Sequence, residues 1–193
     1  TADTENYVKI YQDIGDTSET AILDTIDVKH NVMIDLNGHK LNNIKLGVNK
    51  LGVNKDVTLT LTGTAGSYVT QVYVRKGGGS FIIDSEANVE FNTIFVEDSA
   101  RLAVSDGAKV TTEQLTVIAS VADDGTTTTS VKLATGMKLG GLTYHRQNNS
   151  GALKLGNLLD VTRQALRRED NGNYLDLYKE YGSMGYSVAL TVV

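Results

Sequence analysis

Residues 32–48 read VMIDLNGHKLNNIKLGV, two alternating apolar runs on either side of Asn37-Gly38. Asn-Gly is the strongest short-range hairpin signal, so one reading folds the second run back on the first. The other reading makes NGHK a corner and lets the chain run on into a coil. The two differ in what the rest of the chain must contain, because a coil repeats both runs in the same order.

Both runs do repeat. The first recurs as Val32, Ile34 and Leu36; Val57, Leu59 and Leu61; Phe81 and Ile83; Leu102 and Val104. Its steps, taken from Val32 to Val57 to Phe81 to Leu102, are 25, 24 and 21 residues. The second recurs as Ile44 and Leu46, Val72 and Val74, Ile94 and Val96, Leu115 and Val117, at steps of 28, 22 and 21. LGVNK stands twice in tandem at 46–50 and 51–55, which reads as an insertion in a turn and accounts for the long first step. An odd insertion inside a strand would exchange its buried and exposed faces, whereas a surface loop absorbs it. Two strand-like runs per period, each aiming alternate side chains inward, let neighbouring coils stack into one continuous core.

The sequence therefore predicts an all-β solenoid, with a hairpin meander as the competing arrangement. A leucine-rich repeat is a lesser competitor. Leu41, Ile44, Leu46, Asn49 and Leu51 fit its spacing once, but Gly77, Ser99 and Ser120 stand where later repeats need asparagine.

A chain of 193 residues is long enough to bury a core as one domain. Cysteine, tryptophan and proline are all absent, which excludes disulfides, cysteine-bound zinc and thiol nucleophiles. Net charge is −5 with acids and bases mixed along the chain, so there is no basic footprint for nucleic acid or anionic lipid. The start TADTENYV has neither part of a secretory signal, and no apolar run reaches membrane-spanning length. The strand-like ending SVALTVV, without a polar tail, points to a segment excised from a larger protein.

Ile26-Asp27-Val28-Lys29-His30, followed by MIDLNGHKL, resembles the hydrophobic-Asp-Leu-Asn-Gly-His rung of right-handed parallel β-helix modules in bacterial surface proteins. The stretch NLLDVTRQALRREDNGNYLDL, 157–177, resembles the closing segment of such modules in large repetitive surface proteins of Gram-positive gut bacteria. There a short helix leads through an Asp-Gly turn to an aromatic-bearing strand; here Ala165-Leu166-Arg167-Arg168 replaces the aromatic before the turn. The resemblance implies a right-handed, single-stranded parallel β-helix over 1–156, closed by a helix and strands in 157–193 of the same domain. It also implies a secreted or cell-surface location. Independently, Leu158, Leu159, Thr162, Ala165 and Leu166 follow helical spacing, with Asn157 as cap, Asp160 in the first turn, Arg167 and Arg168 in the last, and Asn171-Gly172 as stop. A helix over 157–169 is expected to cover the open end of the coil.

Residues with chemical potential are scattered. Asp84, Glu86, Glu90, Glu97, Asp98 and Asp106 fall in the middle rungs without sharing one position, and read as solvated turn residues. His30, His39 and His145 have no metal-ligand spacing and no partnered motif. Gly77-Gly78-Gly79 lacks the lysine and helix of a phosphate cradle and reads as a tight corner. Thr126 to Thr129 read as an extended loop or a hairpin tip leaving the coil. No catalytic set, metal site or cofactor is expected.

What alternation sends outward is more informative. With Val72, Val74, Ile94, Val96, Leu115 and Val117 inward, the residues between them face out: Tyr73 and Arg75, Phe95 and Glu97, Thr116 and Ile118, with Lys45 on the rung before. Aromatics beside arginine are the residue types that anchor interfaces. The other side presents Thr58, Thr60 and Thr62, a polar face. The expected function is a non-catalytic adhesin or host-protein-binding module using the Tyr73 strip. Antibody is one partner the resemblance allows, since related surface proteins include superantigen-like immunoglobulin binders. A β-helix that binds or cleaves polysaccharide through the middle-rung acids and Tyr73 is the alternative, and an inert spacer is the third.

Overall fold

The computed structural model describes residues 6–15, 25–46, 57–77, 79–120, 129–134, 137–146, 153–154, 159–161, 180–181 and 188–191. All of its regular elements there are strands. They are β1 (Asn6–Lys9), β2 (Thr25–Val28), β3 (Val32–Asp35), β4 (Lys40–Leu46), β5 (Thr58–Thr62), β6 (Ser67–Val74), β7 (Ser80–Ile83), β8 (Asn88–Val96), β9 (Arg101–Val104), β10 (Lys109–Ala119), β11 (Ser130–Leu133), β12 (Lys138–Arg146), β13 (Leu153–Lys154), β14 (Leu159–Val161), β15 (Glu180–Tyr181) and β16 (Val188–Thr191). Odd strands β1 to β11, then β14, form one sheet in chain order; even strands β2 to β12, then β16, form a second; β13 and β15 make a separate antiparallel pair. Pairing is parallel throughout both sheets except for β16, which runs antiparallel on β12. The fold is an all-β parallel solenoid, and the question posed by Asn37-Gly38 is answered: β3 and β4 lie in different sheets.

NGHK is a corner made with hairpin chemistry. Asn37 and Gly38 both have positive φ, 49° and 83°, and the His39 N–H donates to the Leu36 carbonyl at 2.8 Å. Among the described residues that bond recurs on four later rungs, from Ser67 to Thr64, Ala87 to Asp84, Ala108 to Ser105 and Met137 to Ala134. Each rung thus enters the second sheet through the same three-residue offset.

The register corrects one alignment. Val32 pairs with Leu59 rather than standing over Val57, and Leu59 pairs with Phe81, so the steps of the first run become 27, 22 and 21. The second run keeps its 28, 22 and 21. A shift of two preserves which side chains face inward, so the predicted core stands. Ile34, Leu61, Ile83 and Val104 form one buried ladder, and Ile44, Val72, Ile94 and Leu115 another. Phe81 and Phe91 meet edge to face between the sheets, with centroids 6.0 Å apart and planes at 81°.

The even strands also bend. One register position drops out at Asn42, Thr70, Asn92 and Glu113, and buried residues on either side of it are three apart: Leu41 and Ile44, Val69 and Val72, Phe91 and Ile94, Thr112 and Leu115. β4, β6, β8, β10 and β12 are therefore each two arms meeting at an angle, and those rungs have three walls. On the neighbouring rung Gly140 fills this corner, where an added Cβ would lie 2.7 Å from the Glu113 carbonyl oxygen.

One expectation needs amendment. Leu159–Val161 is strand β14, in register with Val131–Leu133, and not the first turn of a helix. An apolar pair such as Leu159 and Val161 fits the alternation of a strand, and pairing with an open sheet edge decides between the two periods; residues 162–169 lie outside the described residues, as do the repeat at 47–55 and the loop threonines 126–128. The N-terminal segment supplies a rung of its own: β1 pairs with β3, Ile14 bridges Leu41, and β2 pairs with β4.

Candidate functional site

The second arm of the even strands carries the expected strip on its outer face. Lys45, Tyr73, Phe95, Thr116 and Thr143 occupy successive register positions, so parallel pairing sets them side by side. Rungs spaced about 4.8 Å apart dictate ring stacking: the Tyr73 and Phe95 centroids are 4.8 Å apart and their planes differ by 1°. The carbon at the centre of the Arg75 guanidinium lies 5.4 Å from the Tyr73 centroid, within cation–π range. Its Nη1 donates to Glu97 Oε1 at 3.2 Å, while Glu97 Oε2 accepts the Lys76 backbone N–H at 2.8 Å. The Tyr73 hydroxyl donates to Gln71 Oε1 at 2.8 Å.

The strip is thus held by its own contacts. Tyr73, Phe95 and Ile118 are half-buried, Arg75 keeps 42% of its side chain exposed and Glu97 25%. Thr116 departs from the expectation. It is a short side chain between Phe95 and Thr143 in the ladder, only 8% exposed, and offers little to a partner. Lys45 takes its register position beside Tyr73; its side chain lies outside what is described.

Among the acids, Glu86, Glu90 and Asp106 are exposed, and Asp84 caps its own turn by accepting the Glu86 N–H at 3.0 Å. Asp98 is different, being only 6% exposed. Its carboxylate accepts the Ser120 N–H and hydroxyl at 3.0 Å each, and Lys76 Nζ stands 3.5 Å away. Thr129 completes the knot: it is fully buried, accepts the Ser99 N–H at 2.8 Å and sits 3.5 Å from Asp98 Oδ1. This ties the start of β11 to two earlier corners, which a reading of Thr126 to Thr129 as loop alone did not contain.

Burial alone would raise the Asp98 pKa, but the Ser120 hydrogen bonds and Lys76 outweigh it and hold the carboxyl below its ordinary value. The native state therefore binds this proton less readily than the unfolded chain. Its contribution to stability is complete above the unfolded carboxylate range near pH ~4 and disappears as pH falls through the lower native value. Asp98→Asn, which keeps the shape but not the charge, is expected to cost about 1.5–3 kcal/mol at neutral pH and to flatten that acid limb. Urea midpoints at neutral and acid pH check this; parallel pH dependence in the two proteins would assign the acid sensitivity elsewhere.

His39 also has a partner that its sequence context does not announce. Its Nδ1 lies 3.3 Å from Asp13 Oδ1, which accepts the Lys40 N–H at 3.0 Å. The Lys40 N–H and then His39 lower the Asp13 pKa. Among the described residues, no three histidine or acidic side chains converge as metal ligands. Among the described residues the exposed large apolar side chains are Tyr7, Val8 and Tyr11, all on the N-terminal segment.

These features define an all-β parallel solenoid with a preorganised aromatic and ionic strip on one outer wall. No family model, curated protein or solved structure matches this chain.

Proposed function

We propose that the chain is a non-catalytic binding module that presents the Tyr73–Phe95–Arg75–Glu97 strip to a protein partner. The observation that supports this most is the stack itself. Two aromatic side chains stand on an outer wall, fixed face to face and flanked by an ion pair whose arginine is still 42% exposed. A side chain already immobilised loses little rotamer freedom when a partner covers it, which favours association. The stacked rings turn a face toward each other, and a sugar that stacks on an aromatic face has less of it to use; this weighs for protein over glycan. The acids named for carbohydrate chemistry are turn caps, exposed charges or, like Glu97, already engaged.

The setting we propose follows the sequence resemblance: a secreted or cell-surface segment of a larger bacterial surface protein, acting as an adhesin, with antibody among the host proteins it fits. We propose the right-handed coil, the hand that parallel crossovers overwhelmingly adopt.

Immobilised protein exposed to serum proteins, mucosal antibody and mucin tests the reading. Selective, saturable retention is expected, reduced at least about tenfold in Kd by Tyr73→Ala with Phe95→Ala, the loss typical of an interface anchor. Both substitutions should leave the protein folded, with a urea midpoint lowered only by the loss of the stack, about 0.5–1.5 kcal/mol. Retention that survives both would move the interface off this wall; glycan-array binding or polysaccharide turnover without protein retention would replace the proposal with the carbohydrate reading.

A further inference from the structure

Asn37-Gly38 joins a side-chain amide to the one residue with no Cβ to screen its backbone nitrogen. In the fold both reacting groups are held. The Gly38 N–H donates to Ser67 Oγ at 3.0 Å, and Ser67 is 1% exposed. Asn37 Nδ2 donates to the Ile10 carbonyl at 3.2 Å, and this bond anchors the N-terminal segment to the first corner.

We propose that Asn37 is a self-modification site, a deamidation that the first corner holds off and that loosens the N-terminal rung once it occurs. The Gly38 nitrogen gives up its proton and attacks Asn37 Cγ. The Cγ–Nδ2 bond breaks, nitrogen leaves as ammonia, and a succinimide ring closes. Water then opens the ring at either carbonyl to give aspartate or isoaspartate. Overall, asparagine and water become an acid and ammonia, with no oxidant or reductant.

The gate is the Gly38 proton. An amide that donates to a buried hydroxyl surrenders its proton only through local opening, as in hydrogen exchange. The Ile10 bond fixes the amide being attacked. After reaction, position 37 has no donor for Ile10, and its new carboxylate stands two residues from Asp35. That residue accepts the Asn37 N–H at 2.8 Å and the Tyr7 hydroxyl at 3.0 Å, with Lys9 3.5 Å away. Like charge gathers where β1 is attached, and isoaspartate adds a methylene to a backbone in a fixed corner. Residues 6–10 keep their pairing with β3 but lose the side-chain bond that ties Ile10 to the corner.

Peptide mapping by mass spectrometry on the full chain, incubated in mildly alkaline buffer with and without urea, tests the proposal. Asn171-Gly172 is the reference in urea, where both pairs are free to react. Folded protein should deamidate at Asn37 at least about tenfold more slowly than in urea, and Ser67→Ala should abolish most of that protection. Protein deamidated at Asn37 should be clipped faster by protease before residue 15. Equal rates at Asn37 with and without urea would overturn the proposal, as would a folded Ser67→Ala protein that reacts no faster. Hydrogen exchange on the unaltered chain is a second measurement that does not depend on the variant folding: a freely exchanging Gly38 N–H beside a stable Asn37 would also sink it.

Discussion

Phe81→Ala is expected to destabilise the protein by about 3–5 kcal/mol, the range for deleting a buried phenylalanine whose site cannot collapse. Phe81 is fully buried, stands between Leu59 and Leu102 in the odd-strand sheet, and packs edge to face on Phe91 across the core. Collapse is hindered because rung spacing is set by backbone hydrogen bonds on both sides, so the ladder neighbours cannot slide into the vacated space. Ile82→Ala, one residue along the same strand on the outer face, should cost about 1 kcal/mol or less. Urea titration of both variants gives the contrast. Similar losses at the two positions would mean that alternation in β7 does not separate core from surface.

That contrast rests on what was most legible in the sequence. Alternation at period two is a local property, and it located the buried ladders even where the alignment of rungs was off by a pair of residues. The register itself was less legible, because Val57 and Leu59 are both buried and either can stand under Val32 by pattern alone. The near-equal steps of the two runs, 27, 22 and 21 against 28, 22 and 21 once Val32 is set against Leu59, are the signal that would have resolved it.

The bend in the even strands was not read, and it explains a misleading match. Leu41, Ile44 and Leu46 fit a leucine-rich spacing because the corner at Asn42 sets the inward Leu41 and Ile44 three positions apart rather than two. A period that changes within one strand defeats any test that assumes a single period. At the outer strip, pattern gave the register of Tyr73, Phe95 and Thr116 but not their exposure. Whether an outward residue is open depends on the sizes of its neighbours on other rungs, and Thr116 beside Phe95 is covered. The Asp98 knot was illegible for a related reason: Lys76, Ser120 and Thr129 are brought to it by three different corners.

Corners also supply the other large effect. Gly79→Ala is expected to cost at least about 3 kcal/mol, more than overpacking a deformable core usually does. A Cβ built there would lie 1.5 Å from the Val57 carbonyl oxygen and 2.4 Å from its carbon. Both are backbone atoms, so no side-chain rotation relieves the clash. The same carbonyl accepts the Ser80 N–H at 2.9 Å, and the Gly79 carbonyl accepts the Arg101 N–H at 3.2 Å. Making room therefore means separating rungs and breaking the ladder at its entry into β7, next to Phe81. Gly66→Ala is the matched control: its φ of 92° is strained for alanine, but the nearest atom to the added Cβ is 3.5 Å away. The cost there should be about 1–2 kcal/mol, from left-handed backbone alone. If thermal or urea unfolding ranks the two glycines equally, close rung approach at Gly79 is not what fixes this corner. If Gly79→Ala is much the worse, the spacing of the coil is set by backbone contact here, and the face-to-face geometry of Tyr73 and Phe95 on the adjoining wall inherits that spacing.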